Sequence, residues 1–381
     1  MKLCYLVDSY KPVYDGVVRY FDCTIPELIK LGHTVTLICP RIPGTKKVEY
    51  PMEGLKILRC PTPGWYEMGY YFALPNLQMI REIVKADFVM VHSPATIGII
   101  GGIIARLLRK KVGLFAHQDE RIVLMEMLGR PKWISDLTVT LISHLFYPLC
   151  IDVFFCATDR FKGKLLDYSV PKEKIVFAPF AIEDPKFRPG NNDTDIRKKY
   201  NIPKDAIITS YVGRISREKN IHNLLDAVDL AMDEEPKLYS LFVGKKTDDE
   251  IVLKERKNSD RIIFTDFIPE EELPSHYAMA DIFTSPSLHE SSCFTVFEAM
   301  ACQVPVITSH YRHDKDIIHK ENAVLVKELL NPVAIKDSIL MLIRDKKLRA
   351  KVAKNGKKLI DSRSWRNHAK ATLNGIRATF D

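Results

Sequence analysis

Two glutamates eight residues apart, Glu290 and Glu298, stand in HESSCFTVFEAMACQVPV (289–306) and give the strongest chemical signal in the chain. The pattern places Glu290 in a strand-to-helix loop and Glu298 about one turn inside the helix that follows, so both reach the same edge of a fold. Carboxylates near a helix N-terminus are favoured by its dipole, and each accepts hydrogen bonds from vicinal hydroxyls of a sugar or ribose. Glu298 lies among Val296, Phe297 and Ala299, and an apolar helix does not hold a carboxylate without a partner. A second constellation is Gly213-Arg214-Ile-Ser-Arg217-Glu218-Lys219-Asn220. Directly after a buried strand, an arginine fork and a lysine point charge can clamp a diphosphate, although the same letters also suit a surface turn of ion pairs. After the first strand, Gly16 precedes a helix where backbone N–H groups can meet a phosphate, or where the chain simply turns. His117 ends a strand, VGLFAH, a place that suits a site residue or a satisfied structural histidine equally.

These residues need a scaffold, and the chain supplies one twice. Short apolar runs alternate with helical patterns: LCYLV (3–7), TVTLIC (34–39), KILRC (56–60), DFVMVH (87–92), VGLFAH (112–117), DVFFCA (152–157) and KIVFAPF (174–180), with helices such as 18–31 and 97–109 between them. A polar stretch rich in Pro, Asn, Asp and Lys (185–205) interrupts the order. A second series then runs IITSYVG (207–213), LYSLFVG (238–244), RIIFTDF (261–267), DIFTSPS (281–287), PVITS (305–309) and AVLV (323–326), with helices at 221–232, 269–280 and 295–301. Buried strands alternating with helices predict doubly wound parallel sheets. The expected domains are 1–185 and 186–360, with a C-terminal helix at 361–381 packing back on the first. In such sheets ligands bind beyond the carboxyl ends of the strands, where all four constellations lie.

Composition excludes several classes. With 381 residues, 46% hydrophobic and 27% charged, the chain is neither a small module, a disordered segment nor a disulfide scaffold. Its net charge of +8 is too thin for a dedicated nucleic-acid binder, and the aromatic residues do not interleave with the basic clusters. The eight cysteines form no CxxC pair and have no histidine at metal-ligand spacing, which predicts a reducing, cytoplasmic setting. The N-terminus enters a strand pattern without a signal-peptide pattern. The most apolar segment, 137–151, is too short to span a bilayer and reads as a buried or interfacial helix. Eleven Lys/Arg between 344 and 370 suit one or two packed helices with a solvated basic face, or attraction to anionic lipid.

Taken together, these motifs resemble the retaining glycosyltransferases of family four, also called group 1, over nearly the whole chain. Glu290 and Glu298 look like that family's paired glutamates, FEAMACQVPVI (297–307) like its EAMACGxPV segment, and YVGRISREKNIHNLLDA (211–227) like its GR-x-x-x-EK block, while MADIFTSPS (279–287) matches its central strand. The resemblance implies the GT-B fold, two Rossmann-like α/β domains facing a central cleft. It implies transfer of a sugar from a UDP- or GDP-linked donor to an acceptor hydroxyl with retention, without metal or other cofactor. By the same resemblance Arg214 and Lys219 hold the diphosphate, Glu298 the ribose and Glu290 the transferred sugar. The backbone of Cys293, Phe294 and Thr295 lines the phosphate and sugar, and Phe267 and Ile268 line the base. Gly16 lets the first loop approach the diphosphate, and His117 lies near the transferred sugar. The opening YKPVYDGVV (10–18) resembles the branch that glycosylates membrane lipids, which implies a lipid or lipid-linked acceptor and a peripheral place on the inner face of the cell membrane. A helical stretch with basic and apolar faces around Arg130–Tyr147 suits docking on an anionic membrane surface. The competing expectations are a soluble acceptor such as an inositol phosphate or another sugar, a GT-B-fold epimerase, and a non-catalytic subunit that binds nucleotide-sugar. The chain departs from the family pattern at Gln303 and Cys293, where glycines are usual, at PFAIED (179–184), and at Gly244-Lys245-Lys246.

Overall fold

The computed structural model describes the chain except residues 14–15, 65, 68–69, 118, 123, 126–129, 183–184, 192–194, 247–255, 289–293 and 311–314, together with the side chains of 66, 67, 70, 122 and 218. It divides into two compact units, Met1–Phe180 with Trp365–Asp381, and Ala181–Ser364.

The first unit is built on an eight-stranded sheet. Its strands are β1 (Lys2–Leu6), β2 (Thr34–Pro40), β3 (Val48–Met52), β4 (Leu55–Cys60), β7 (Phe88–Val91), β8 (Lys111–Ala116), β9 (Val153–Cys156) and β10 (Ile175–Phe177), while β5 (Tyr66–Glu67) and β6 (Tyr70–Tyr71) form a separate ribbon. The spatial order is β10-β9-β8-β7-β1-β2-β4-β3, parallel except for the pairing of β3 with β4. Strands such as FVMV are buried at every position because both faces are covered, as a parallel sheet requires. On one face lie α2 (Leu77–Lys85) and α3 (Thr96–Leu107), whose Met79, Ile83, Ile97 and Ala105 share a core with Leu6, Val91 and Leu114. On the other lie α1 (Gly16–Lys30) and the C-terminal helix (Trp365–Arg377). Within α3, a Cβ at Gly102 would stand 2.8 Å from the Phe146 ring, so glycine lets α3 press closely on the segment that follows β8.

That segment comprises α4 (Glu120–Ile122), α5 (Lys132–Leu141), a π-helical stretch Ile142–Phe146 and α6 (Tyr147–Cys150). The helix α7 (Asp159–Asp167), capped by the Thr158 hydroxyl, leads to β10.

The second unit, after the short helix α8 (Ile196–Lys199), carries six parallel strands in the order β13-β12-β11-β14-β15-β16. They are β11 (Ile207–Val212), β12 (Leu238–Val243), β13 (Ile262–Phe264), β14 (Ile282–Ser285), β15 (Val306–Ser309) and β16 (Val324–Val326). The covering helices are α9 (Ile221–Glu234), α10 (Leu273–Ala278), α11 (Phe294–Ala301), α12 (Pro332–Arg344) and α13 (Lys346–Asp361), and α14 is the returning helix Trp365–Arg377. The expected parallel α/β pattern is therefore present in both units. The units part after Phe180 and after Ser364, not after 185 and 360 as the sequence reading has it, and β3 is absent from that reading. The helix expected over 269–280 is regular only from Leu273, where Pro274 sits in the first turn. The basic stretch 344–370 contributes to three helices, and α13 buries Val352, Ala353, Gly356 and Ile360 against the unit, as a packed helix with a solvated face does.

Strand order reverses at β1/β7 in the first unit and at β11/β14 in the second, the places where open sheets bind ligands. At the first of these, Asp8 follows β1 and is buried. Its Oδ1 accepts from Thr96 Oγ1 and Ile97 N, both at 2.8 Å, and its Oδ2 accepts from Ser93 Oγ at 2.8 Å and Gly98 N at 3.4 Å. Asp8 thus caps α3 across the sheet and satisfies two of its orphan N–H groups. Asp8→Ala leaves those donors buried and should destabilise the first unit by about 3 kcal/mol. Asp8→Asn, which keeps an accepting oxygen, should cost less. Urea unfolding checks this, and equal midpoints for wild type and Asp8→Ala would refute the cap.

Candidate functional site

In the second unit the loop after β11 is fixed from below and behind. Gly213 N donates to Val243 O at 2.9 Å, Ile215 N to Lys245 O at 3.0 Å, and the Tyr211 hydroxyl to Arg214 O at 2.9 Å. The neighbouring strand end crosses so closely that a Cβ at Gly244, whose φ is 137°, would stand 2.1 Å from the Gly213 carbonyl oxygen. Glycine is required there by contact as well as by backbone. On this braced turn the Arg214 side chain is exposed, and Lys219, half-buried, ends a short 3₁₀ turn Arg217–Lys219. Next comes Asn220, fully buried with φ 60°, a left-handed conformation that Asn tolerates better than most residues. Its Nδ2 donates to Pro286 O at 3.2 Å and Leu329 O at 2.7 Å, and its Oδ1 accepts from Asn223 Nδ2 at 2.7 Å. One side chain therefore ties the loop after β11 to the loop after β14, across the switch point.

Glu298 lies on α11 with no exposure, and its Oε2 accepts from the Tyr277 hydroxyl at 2.6 Å. The partner that an apolar helix must supply is thus Tyr277, from the preceding helix α10. Phe294 is buried and Thr295 half-buried at the start of α11. Beyond β13, Phe267 is 81% exposed and Ile268 half-buried. Glu290 and Cys293 lie outside the described residues. Gln303 follows α11 at φ 59°.

Gly16 and His117 belong to the first unit. Gly16 opens α1 and is half-buried. His117 follows β8 and is buried, 3% exposed, against Tyr20, Phe115 and Phe180, and its Nε2 lies 2.9 Å from His92 Nδ1 at the end of β7. Burial lowers the His117 pKa to about 3, with nearby His368 adding to the effect, so the ring is neutral at physiological pH. Three residues on, Glu120 accepts a hydrogen bond from Tyr147 beside the Asp119–Lys164 pair. Among the described residues no three His, Cys, Asp or Glu side chains are arranged to hold a metal ion.

The same unit presents an apolar ridge. Trp133, Leu137, Leu141, Leu145 and Leu149 recur every fourth residue along α5, the π stretch and α6, and each is between 49% and 68% exposed. In an unbroken α-helix every such step turns the ridge by about 40°. The π stretch, with more residues per turn, takes back part of that drift and keeps the row toward one side. Exposed Ile103 and Leu107 lie on α3, which contacts α6; Arg106 in its last turn and Arg109 just beyond it are exposed, Arg106 and Lys111 pair with Asp152, and Lys110 donates to Val84 O and Ala86 O at the end of α2. Among the described residues no helix is long and apolar enough to cross a membrane.

Comparison with known proteins agrees with this geometry. Residues 192–359 match the family model for glycosyl transferases group 1, and residues 14–184 that for glycosyltransferase family 4. The alpha-monoglucosyldiacylglycerol synthase of Streptococcus pneumoniae is 28% identical over 81% of this chain and 70% of its own length. The GDP-mannose-dependent alpha-mannosyltransferase of Mycolicibacterium smegmatis is 26% identical over 84% of this chain and 82% of its own. Among solved structures, a glycosyltransferase from Rickettsia africae superposes with a TM-score of 0.78 at 17% identity, covering 100% of this chain and 98% of that one.

Asn220, Tyr277, His92 and Glu120 were not singled out by sequence reasoning. A weak signal existed for His92, since two neighbouring strand runs, DFVMVH and VGLFAH, each end in histidine. Glu120 makes the clearest prediction. Burial, reinforced by Asp119, pushes its carboxyl up to about 7 from 4.5, against the pull of Lys164 and Tyr147. The native state therefore holds this proton more tightly than the unfolded chain does. Its stabilising contribution is full below about pH 4.5 and is lost as pH rises through about 7. Glu120→Gln should flatten the fall in melting temperature between about pH 5 and 8. A wild-type slope retained in that variant would show that Glu120 titrates normally.

Proposed function

Since the chain, matched in both halves, belongs to the group 1, family 4 glycosyltransferases with the GT-B fold, we propose that it is a retaining hexosyltransferase that moves a sugar from a UDP- or GDP-linked donor to a hydroxyl of a membrane lipid or lipid-linked acceptor. The observation that carries the donor half is the braced turn at β11/β14, where Arg214 and Lys219 follow a strand end fixed by Gly213, Gly244 and Asn220. Charge builds on the leaving diphosphate as the glycosidic bond breaks. Two cations already in place stabilise that charge without reorganising, which is the task a divalent metal performs in other sites. In this reading the reaction needs no metal. Glu298, held by Tyr277, receives the ribose hydroxyls, and Glu290 receives those of the transferred sugar. The backbone of Cys293, Phe294 and Thr295 lines the phosphate and sugar, Phe267 and Ile268 flank the base, Gly16 admits the diphosphate, and His117 borders the sugar. Lys245 and Lys246, beside Gly244, add positive charge to the same strand edge.

The apolar ridge supports the acceptor half. Leucines left in water at every fourth position, with exposed Arg106 and Arg109 at the end of the adjoining helix, match an anionic bilayer surface in both hydrophobicity and charge. The relative from Streptococcus pneumoniae is named for a glycolipid product, which agrees with this choice. The enzyme then works as a peripheral protein on the cytoplasmic membrane face.

A thermal-shift panel of UDP, GDP and their sugar conjugates should give stabilisation with one base. Arg214→Ala and Lys219→Ala should each weaken that nucleotide by roughly tenfold to a hundredfold, the worth of a charge-assisted hydrogen bond. Unchanged affinity in both variants would move the diphosphate elsewhere, no shift with any nucleotide would refute the donor site, and a shift without turnover would favour a non-catalytic subunit. Separately, the protein should sediment with phosphatidylglycerol vesicles, and Leu141→Glu with Leu145→Glu should release it at least tenfold. Failure of the wild type to sediment would favour a soluble acceptor.

A further inference from the structure

The first unit carries a pocket of about 230 Å³ at the amino end of its sheet, lined by Leu31, His33, Lys370, Leu373, Asn374 and Arg377. Leu31 and His33 belong to the turn between α1 and β2, and the other four to α14, on which positions 370, 374 and 377 fall on one face. All six lie in the same unit. The seven residues of β2 carry the strand roughly 20 Å from this turn to its carboxyl end, so the pocket stands apart from the switch point at β1/β7. Lys370, Asn374 and Arg377 are exposed and open to a ligand. No carboxylate lines the pocket, α14 contains no Asp or Glu, and among the described residues neither Lys370 nor Arg377 forms an ion pair. Lys30 and Lys85, by contrast, each hold a glutamate, at 2.6 and 3.1 Å. His33 is buried, with its Nδ1 3.2 Å from Met1 N. That nitrogen can only donate, so Nδ1 accepts. Burial lowers the His33 pKa, and the charges at Met1 and Arg377 add to the effect, so the ring is neutral at pH 7 and carries its proton on Nε2.

The lining therefore supplies an ammonium, a guanidinium fork, an amide NH₂ and an imidazole N–H against a single side-chain acceptor, the Asn374 carbonyl. Sugar hydroxyls need acceptors as well as donors, and a divalent cation needs carboxylates. A phosphate dianion only accepts, and an arginine fork beside a lysine charge suits it. We propose that this pocket is an anion site that binds a phosphoryl group, carried by a soluble ester or by a lipid headgroup, through Lys370 and Arg377, with Asn374 and His33 completing the donor set and Leu31 and Leu373 meeting the carbon skeleton. A phosphoryl group held there ties α14 to the turn before β2 and so stabilises the closure of the first unit by its returning helix. The site is separate from the donor diphosphate at Arg214 and Lys219, which belong to the other unit.

The test uses the full chain labelled with ¹³C-histidine and read by ¹H–¹³C correlation at pH 7, with the His33 signal assigned by its absence in His33→Gln. Inorganic phosphate and glycerol 3-phosphate, titrated at constant ionic strength, should each shift that signal saturably, while chloride should not. Lys370→Gln with Arg377→Gln, two exposed changes that keep the fold, should weaken both anions by roughly tenfold or more, the worth of a charge-assisted hydrogen bond. Arg377→Lys, which keeps the charge and loses the fork, should fall between the two. Because phosphate also suits a diphosphate site, Arg214→Ala serves as the control and should leave the His33 response unchanged. A His33 signal that ignores phosphate, that moves equally with chloride, or that responds in the double variant as in wild type would overturn the proposal, and so would loss of the response in Arg214→Ala. Sedimentation with phosphatidylglycerol vesicles then separates the two sources, both of which the proposal admits. The double variant should sediment as wild type does where the natural ligand is a soluble ester, and less where it is a headgroup.

Discussion

The first unit depends on a buried aromatic cluster that holds the chain at both ends of its excursion into the second. The chain leaves after Phe180 and returns at Trp365, and these two rings pack 5.8 Å apart with His368 and Tyr20 around them. The contacts continue from Phe180 to Phe115 and His117, so the cluster reaches the C-terminal ends of the central strands. Behind it, α14 lies so close to the sheet that a Cβ at Gly375 would stand 2.7 Å from the Phe155 ring. The last 17 residues therefore form part of the first unit's core (365–381). One consequence concerns synthesis. A domain made from its N-terminus can usually close before the next emerges, whereas this sheet keeps part of one apolar face open until residues 365–381 have been made.

The two switch points use the same topology and different chemistry. In the first unit the loops after β1 and β7 are joined by an acid, Asp8, whose carboxylate is spent on α3. In the second, the loops after β11 and β14 are joined by a neutral amide, Asn220. An amide can bridge two carbonyl oxygens without placing a formal charge beside the cations of its own loop. A carboxylate there would attract Arg214 and Lys219 and compete with any anionic ligand. The unit that presents cations is thus tied by an uncharged group, and the unit with the buried acid offers helix N–H groups to satisfy it.

Much of this was legible because parallel sheets write plainly. Strands buried on both faces read as unbroken apolar runs, and the residues after them stand where ligands bind, so Arg214, Lys219 and His117 could be placed before any geometry was known. What stayed hidden depends on long-range pairing. The partner of Glu298 is a tyrosine on another helix, and no local pattern marks Tyr277 as its donor. The edge strand β3 carries Pro51 and exposed positions, which weakens its pattern. The apolar ridge was legible as an amphipathic stretch around Arg130–Tyr147. Its alignment was not, because it depends on a π-helical stretch that the letters do not announce. Hydrogen bonding between His92 and His117 required knowing that β7 and β8 are neighbours in register.

The departures from the family pattern divide by the same reasoning. Gln303 occupies a left-handed position with φ 59°, its N–H bonded to Met300 O at 2.9 Å and that of Val304 to Ala299 O at 2.9 Å. This is the usual close of a helix, in which glycine is favoured for conformational reasons. A glutamine there costs about 1 kcal/mol of backbone strain, and the bonds show that α11 still ends as it would with glycine. The cost falls on stability, and Glu298 on the same helix keeps its bond to Tyr277. Lys245 and Lys246 differ in kind, because they leave the required Gly244 in place and change what surrounds it. Lys246 lies over the Phe264 ring at 5.0 Å, 3.9 Å from Asp266, and Lys245 is exposed. Cation density therefore increases along the strand edge that carries Arg214, which strengthens the attraction for a polyphosphate while leaving the backbone of the turn unaltered.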